Sequence, residues 1–406
     1  MRASLDFLQV KKGRIVDQQD RPVALRGVNL GSWLLIEGYI LGGPNKPEQT
    51  IRRSLVGTIG RTRARAFFNR YQDVFVQAAD LRRIREWGFN LVRVPFNYRL
   101  FLPSPQGNLY ERNGFERLDW LVRQCRSLGL YCVLDLHAAP GSQNADWHSD
   151  SSGQAGLWTS KSNQEATVRL WRTIAEHFRD EPVVAGYDLL NEPNTDNKPL
   201  LQALYCRCVE AIRSAGDRHI VFLEGTVWSS GFDRIDHLTD DQIAYAPHFY
   251  NPFQYVFNLE LGACYPGVVN GKRWTKDSLR RDLRRYAAWA ARKKRPVLIG
   301  EFGVNSRCPS CHAEARWVRD AVDLFKSFGF HWTYWTYKTL AGHLFPNGLL
   351  QFPPNPTWLR REGPLLGWEN WPTHPQKEIL RALDSRHFRP DLSILRELQR
   401  GLTKTI

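Results

Sequence analysis

Long apolar runs are missing from this sequence. No stretch approaches the roughly 18 residues that a membrane-spanning helix needs, so a spanning protein is excluded. The N-terminal MRASLDFLQVKKGRIV lacks the apolar centre of a secretory signal, which makes the cytoplasm the expected location, or secretion if a leader has been removed. Cysteine is sparse and odd in number, seven in 406 residues, too few for a disulfide-stapled scaffold. Cys308-Pro-Ser-Cys311 alone has the spacing of a zinc knuckle or redox pair. No second pair of that spacing completes a four-ligand site, although Cys206, Cys208 or His312 could contribute, so no metal is expected. A local Cys308–Cys311 disulfide and free thiols both remain open. Low-complexity linkers are absent. RGVNLGSW after the first apolar run contains no G-x-G-x-x-G, which argues against a doubly wound dinucleotide-binding sheet.

What is present is aromatic and basic. The chain holds 15 Trp, 14 Tyr and 21 Phe, and 56 Lys plus Arg against 41 Asp plus Glu give a formal charge of +15. Clustered positive charge would bind nucleic acid by releasing counterions from phosphate. Here the basic residues run from Lys11 to Lys404 with acidic residues interleaved, which describes a solvated surface, and no nucleic-acid partner is expected.

Short apolar runs alternate with longer amphipathic segments. The runs are Leu25–Leu30, Leu91–Val94, Tyr131–Leu136, Val183–Leu190, Ile220–Leu223, Ile243–Ala246, Pro296–Ile299 and His331–Tyr337. Between them, 78–87, 115–128, 164–178, 200–214, 278–292 and 314–328 carry apolar residues at three- and four-residue spacing. Eight strands alternating with helices predict a (β/α)8 TIM barrel with extended loops after the strands and a C-terminal helical extension. Length allows two or three domains, but the pattern gives one catalytic unit over 1–406, with its core over about 22–340 and 341–406 packed on the barrel as loop and helices. A monomer is expected.

Barrel enzymes place their chemistry where strands end, and polar or aromatic residues gather there. Arg93 belongs to VRVPFN at the second run, His137 follows the third, Asn191-Glu192-Pro193 the fourth, Glu224 the fifth, His248 and Tyr250 the sixth, and Glu301 the seventh, while Trp335 lies in the eighth. Strands four and seven face each other across a barrel mouth, so Glu192 and Glu301 can converge. Glycoside hydrolysis needs such a pair, one carboxyl to protonate the leaving oxygen and one to attack the anomeric carbon or activate water. Glu224 is read as charge-balancing or structural. Asp135-Leu-His137 could share a cation, but the His-x-His pair usual in hydrolytic metal barrels is absent. Five tryptophans at or after strand ends, Trp33, Trp147, Trp158, Trp228 and Trp335, are candidates for stacking on sugars, whereas Trp87, Trp120, Trp171 and Trp317 belong to helices.

With Asn191-Glu192-Pro193 after the fourth strand and Glu301 after the seventh, the chain resembles glycoside hydrolase family 5, over roughly 25–338. GVNLGSWLLIE (27–37), DLHAAPGSQN (135–144) and YWTYKT (334–339) resemble its exo-β-1,3-glucanase and β-glucosidase-like branch. ADWHSDSSG after Asn144 and FGVNSRCPSC after Glu301 depart from that branch. The resemblance implies a retaining, cofactor-free hydrolase of β-glucans or β-glucosides, exo-acting, with Glu192 as acid/base and Glu301 as nucleophile. It implies that Arg93 keeps Glu301 ionised, Tyr250 positions it, Asn191 binds the sugar 2-hydroxyl, Glu37 holds the terminal sugar, and Trp335 lies beneath it. His137 and His248 would support the site. The acid/base must hold a proton near neutral pH, and like-charge repulsion within the pair would raise its pKa. Alternatives within the family are an endo-β-1,4-glucanase or mannanase and a glycolipid-cleaving glycosidase; outside enzymes, the alternative is a catalytically inactive carbohydrate-binding barrel.

Overall fold

A computed structural model describes residues 5–102, 109–232, 235, 238–306, 313–340, 342, 344–353 and 367–402. The Cys308–Cys311 motif and His312 lie outside these residues. Eight parallel strands form the central sheet: β1 (Arg26–Asn29), β2 (Leu91–Asn97), β3 (Tyr131–Ala138), β4 (Val184–Asp188), β5 (Ile220–Leu223), β6 (Ile243–Tyr245), β7 (Leu298–Phe302) and β8 (His331–Tyr334). Neighbours pair in chain order, and β8 pairs with β1. Parallel bridges Tyr245–Val297 and His248–Glu301 join β6 to β7 and close the ring. The predicted barrel is therefore the observed one.

The strands are buried on both faces, as their apolar runs require. Leu91, Val133, Ala185, Ile220, Phe222 and Leu298 form one cluster with Leu8, Val10 and Ile15. Those last three belong to an N-terminal segment whose strands Gln9–Lys11 and Arg14–Val16 pair antiparallel. A second, larger cluster joins the sheet to its helices. Where β1 meets β2 there is no room for a side chain: a Cβ on Gly27 would lie 1.8 Å from the Leu91 carbonyl oxygen.

The surrounding helices are α1 (Glu48–Ile59), α2 (Arg61–Phe75), α3 (Ala78–Glu86), α4 (Gly114–Leu128), α5 (Lys161–Phe178), α6 (Lys198–Ser214), α7 (Lys276–Lys293) and α8 (Glu314–Phe328). Gly129 ends α4 in the left-handed region and its N–H caps the last turn. Beyond the barrel lie α9 (Gln376–Ala382) and α10 (Leu392–Leu402). α10 packs against α8, where Arg319 Nη2 donates to Glu397 Oε1 over 2.6 Å. Buried Lys338 donates to the carbonyls of Phe75 and Leu383 and to Ser385 Oγ, which ties the tail to the barrel wall.

The alternation did not lead us to α1 and α2, which fill the connection from β1 to β2. Ala64, Phe67, Phe68, Tyr71 and Phe75 make a buried stripe at helical spacing on α2, but the intervening arginines and polar residues dilute it. No described helix is long and apolar enough to cross a membrane.

Candidate active site

The strands' C-terminal ends open into a cavity of about 590 Å³ lined by Glu37, Glu192, Glu301 and Trp335 among others. Arg93 lies at its base, fully buried. Its guanidinium donates to Glu301 Oε1 (2.8 Å), Asn29 Oδ1 (3.1 Å), Asp188 Oδ2 (2.9 Å), Asn191 Oδ1 (2.9 Å) and Glu224 Oε1 (3.0 Å). Asp135 Oδ2 lies 3.2 Å from Nη2. One guanidinium thus meets four carboxylates. A single cation cannot neutralise them all, so burial and mutual repulsion push Asp135 and Asp188 well above the usual carboxylate range against the pull of Arg93. Glu224 is lowered: His248, Arg93 and the Glu192 N–H outweigh its burial.

Glu301 is held on both oxygens, by Arg93 on Oε1 and by the Tyr250 hydroxyl, which donates to Oε2 over 2.8 Å. Glu192 stands across the cavity with φ +47°, a left-handed conformation that costs a non-glycine residue of order 1 kcal/mol. Its backbone is pinned on both sides: its N–H donates to Glu224 Oε2 over 2.6 Å, and Asn144 Nδ2 donates to its carbonyl over 3.0 Å. Glu224, read from sequence as structural, sets the backbone of one carboxylate while sharing Arg93 with the other. Gln143 joins the loops after β3 and β4, donating to the carbonyls of His137 (2.7 Å) and Asn191 (2.8 Å).

His248 bridges the pair. Its Nδ1 lies 2.7 Å from Glu192 Oε1 and 3.5 Å from Glu301 Oε2. One oxygen of each glutamate and one His248 nitrogen all fall within 4.8 Å of one another. Burial would lower His248, but Glu224, Glu301 and Glu192 raise it well above the usual imidazole range. Burial alone would raise Glu192. Contacts to His148 and His248 reverse that and hold it well below the usual carboxylate range. The like-charge argument from sequence thus gives the opposite direction from the structure, because two imidazoles outweigh the second carboxylate.

His137 meets Asp135 at 2.7 Å through Nδ1, and its Nε2 faces Asn191 Nδ2 at 3.3 Å. Burial brings it down to about 3, so it is neutral at ordinary pH. Its ring stacks on Trp335, 5.6 Å between centroids and 11° between planes. Glu37 reaches the cavity with a buried Oε1 that has no hydrogen-bond partner. Burial, then repulsion from Glu301, Glu192 and Asp135, raises it well above the usual range.

All nine residues singled out from sequence therefore belong to one connected cavity and its base. Three of the five stacking candidates, Trp147, Trp228 and Trp335, line it. Trp33 does not: it is buried, its indole donates to the Gln72 carbonyl over 2.9 Å, and it packs edge-on against Trp120. Trp158 is not in the wall either, its indole donating to the Gln143 carbonyl over 2.8 Å. Wall residues not singled out from sequence include His148, Tyr39 and Phe345. The His248 group above could also ligate a cation, and oxygens of Asp135, Asp188 and Glu224 likewise fall within 4.8 Å of one another. Arg93 already supplies positive charge among the latter three.

A family model described as cellulase (glycosyl hydrolase family 5) matches residues 56–340. A beta-xylosidase of Phanerodontia chrysosporium is 33% identical over 347 residues, covering 82% of this chain and 71% of that protein. A probable glucan 1,3-beta-glucosidase A of Neosartorya fischeri is 30% identical over 305 residues, covering 72% and 68%. Among solved structures, endoglucanase Cel5A of Thermotoga maritima superposes with a TM-score of 0.58 at 21% identity, covering 88% of this chain and 96% of that one; at that identity the likeness concerns the fold.

Proposed function

The chain belongs to glycosyl hydrolase family 5 and is an O-glycosyl hydrolase, and from that premise we propose that it cleaves β-glucosidic bonds by double displacement, with Glu192 as acid/base and Glu301 as nucleophile. The observation that carries this reading is the approach of the two carboxylates to within 4.8 Å. Oxygens that near one another favour the ~5–5.5 Å separation of retaining enzymes over the ~6.5–9.5 Å of inverting ones. Glu301 attacks the anomeric carbon while the glycosidic oxygen takes a proton from Glu192. Water, deprotonated by Glu192, then breaks the resulting ester. Arg93 and Tyr250 hold and aim the attacking carboxylate, and Asn191 and His137 offer polar atoms to the sugar. Trp335 supplies an apolar face beneath it.

Glu37 supports exo action, because a buried, unpaired carboxyl in the cavity is suited to grip the hydroxyls of a terminal sugar. Substitution tests the scheme. Glu301→Ala should abolish hydrolysis of an activated aryl β-glucoside, and azide should partly restore turnover as the inverted glycosyl azide. Glu192→Ala with azide should give the retained one. Full activity in either variant would overturn its assignment.

A second reading is hydrolysis of β-xylosides, favoured by the 33% identity to a beta-xylosidase. Comparing aryl β-glucoside with aryl β-xyloside distinguishes the two. Release of single sugars from laminarin or xylan oligosaccharides would support exo action, and mixed oligomers would reject it. Cys264 is disulfide-bonded, which supports an oxidising compartment.

A further inference from the structure

His148 follows Trp147 in the loop where the sequence departs from the exo-glucanase pattern, and it makes a contact that loop length and strand register do not predict. Its Nε2 lies 3.1 Å from Glu192 Oε2, the oxygen that His248 does not engage. The same Nε2 lies 3.0 Å from Asn144 Nδ2. Asn144 Oδ1 is taken by the Asp146 N–H, which orients the amide so that its NH2 group points at the imidazole and at the Glu192 carbonyl. Nε2 is therefore placed between a donor and a carboxylate. Neutral His148 suits Asn144, accepting its N–H. Protonated His148 suits Glu192, donating to Oε2. The carboxylate and the imidazole have a single proton to share, with a good partner waiting in either state.

We propose that His148 is a positioning residue that stores the acid/base proton, holding it beside Glu192 Oε2 in the free enzyme. The proposal rests on the reading of Glu192 as acid/base. In the first half-reaction the stored proton passes to the Glu192 carboxyl and on to the glycosidic oxygen. The bond from Glu301 to the anomeric carbon forms, the bond to the leaving oxygen breaks, and the aglycone departs as an alcohol. The pair is then one proton short. In the second half-reaction water attacks the anomeric carbon, the ester to Glu301 breaks, and the water proton returns through Glu192 to His148. Protons balance over the cycle without an external donor.

The groups facing His148 agree with this assignment. Burial would lower it, but Glu192, Asp146 and Glu301 raise it above the ordinary imidazole range. His137, 6.1 Å away between ring centroids, is neutral at working pH and adds no competing charge. His248 lies on the far oxygen of Glu192, and Trp147 packs edge-on against the ring. A proton kept on an imidazole of raised pKa survives to higher pH than one on Glu192 alone, whose remaining partner His248 favours the carboxylate. His148 therefore extends activity toward alkaline pH, most of all on substrates whose leaving group needs a proton.

The test uses His148→Gln, which keeps a polar side chain but cannot titrate, and His148→Asn should the first fail to fold. On an alkyl β-glucoside, the ratio of kcat/KM at pH 8 to that at pH 5 should fall about tenfold, as expected if the alkaline limb moves down by one pH unit. On a 2,4-dinitrophenyl β-glucoside, whose leaving group needs no protonation, the ratio should move far less. A uniform drop across pH and leaving groups, or no change in either profile, would overturn the proposal. Glu192→Ala measured alongside separates the two readings. If it keeps full activity on the alkyl glucoside, the acid/base assignment itself fails. If it loses that activity, while azide restores its turnover of the 2,4-dinitrophenyl β-glucoside and His148→Gln keeps the native profile, only the role of His148 fails.

Discussion

Arg93 Nη1 donates to Glu301 Oε1 across 2.8 Å inside a site where the guanidinium is wholly buried. The same side chain reaches Asp188, Asn191 and Glu224, so its charge and its planar fork act together. A lysine would bring the charge without the fork. Arg93→Lys should therefore lower kcat/KM by about 10²–10³-fold and destabilise the fold, since an ammonium cannot make all five of the fork's hydrogen bonds and each buried acceptor left unsatisfied costs about 1–3 kcal/mol. Steady-state kinetics beside urea unfolding would check both, and near-native kinetics would contradict the role given to the guanidinium.

Tyr250 makes a narrower contribution. Its hydroxyl donates to Glu301 Oε2 over 2.8 Å, while its ring packs on Phe257, 5.1 Å between centroids. Tyr250→Phe keeps the packing and removes a hydrogen bond to a charged group, worth about 1.5–3 kcal/mol. A fall of about 10–100-fold in kcat with little change in Tm is expected. A large loss of Tm with kcat retained would assign Tyr250 to the fold.

How much of this was legible in the sequence depends on range. The eight strands and the residues at their ends follow from local alternation, because a parallel strand buried on both faces must be apolar and must stop where polar groups reach the mouth. Glu192, Glu301, Arg93 and Tyr250 stand at fixed offsets from those stops. His148 does not. It lies ten residues beyond the end of β3 at Ala138, and only the folded loop, anchored by the Ser149 hydroxyl on the Asn144 and Asp146 carbonyls, brings it to Glu192. Trp33 failed in the other direction: it follows a strand like the other stacking candidates, but its connection turns inward and buries it beneath α2. The direction of the Glu192 shift was out of reach for the same reason, since it is set by imidazoles from two other loops.

Gly27 marks where backbone contact dictates sequence. A Cβ there would lie 1.8 Å from the Leu91 carbonyl oxygen and 2.9 Å from the Leu91 Cβ, closer than packed atoms allow. Gly27→Ala must push β1 from β2 and disturb the register that carries Asn29 to Arg93. A loss of at least ~2 kcal/mol is expected, in the range of overpacked cores. Gly57, on α1 with no heavy atom within 4 Å of where a Cβ would sit, provides the control: Gly57→Ala should stabilise slightly, by up to ~1 kcal/mol. Equal Tm values for the two variants would refute the steric account.

His331 gives the fold a dependence on pH away from the active site. The Leu25 N–H donates to its Nδ1 over 3.0 Å, within the β8–β1 seam. That bond requires a neutral ring, and burial with the nearby Arg26 lowers His331 from 6.5 to about 4. The unfolded chain takes up the proton near the ordinary value and the folded chain does so only near 4, so stability from this group is present above pH 6.5 and lost as pH falls toward 4. Across that interval the loss is roughly 3 kcal/mol at most. His137, brought down to about 3 by burial, acts in the same direction. The difference between native protein and His331→Asn isolates the effect, because Asn can accept the Leu25 N–H without titrating. Urea unfolding at pH 7 and pH 4.5 should show a smaller loss in the variant. Parallel losses in the two proteins would mean that His331 is not a source of the acid sensitivity.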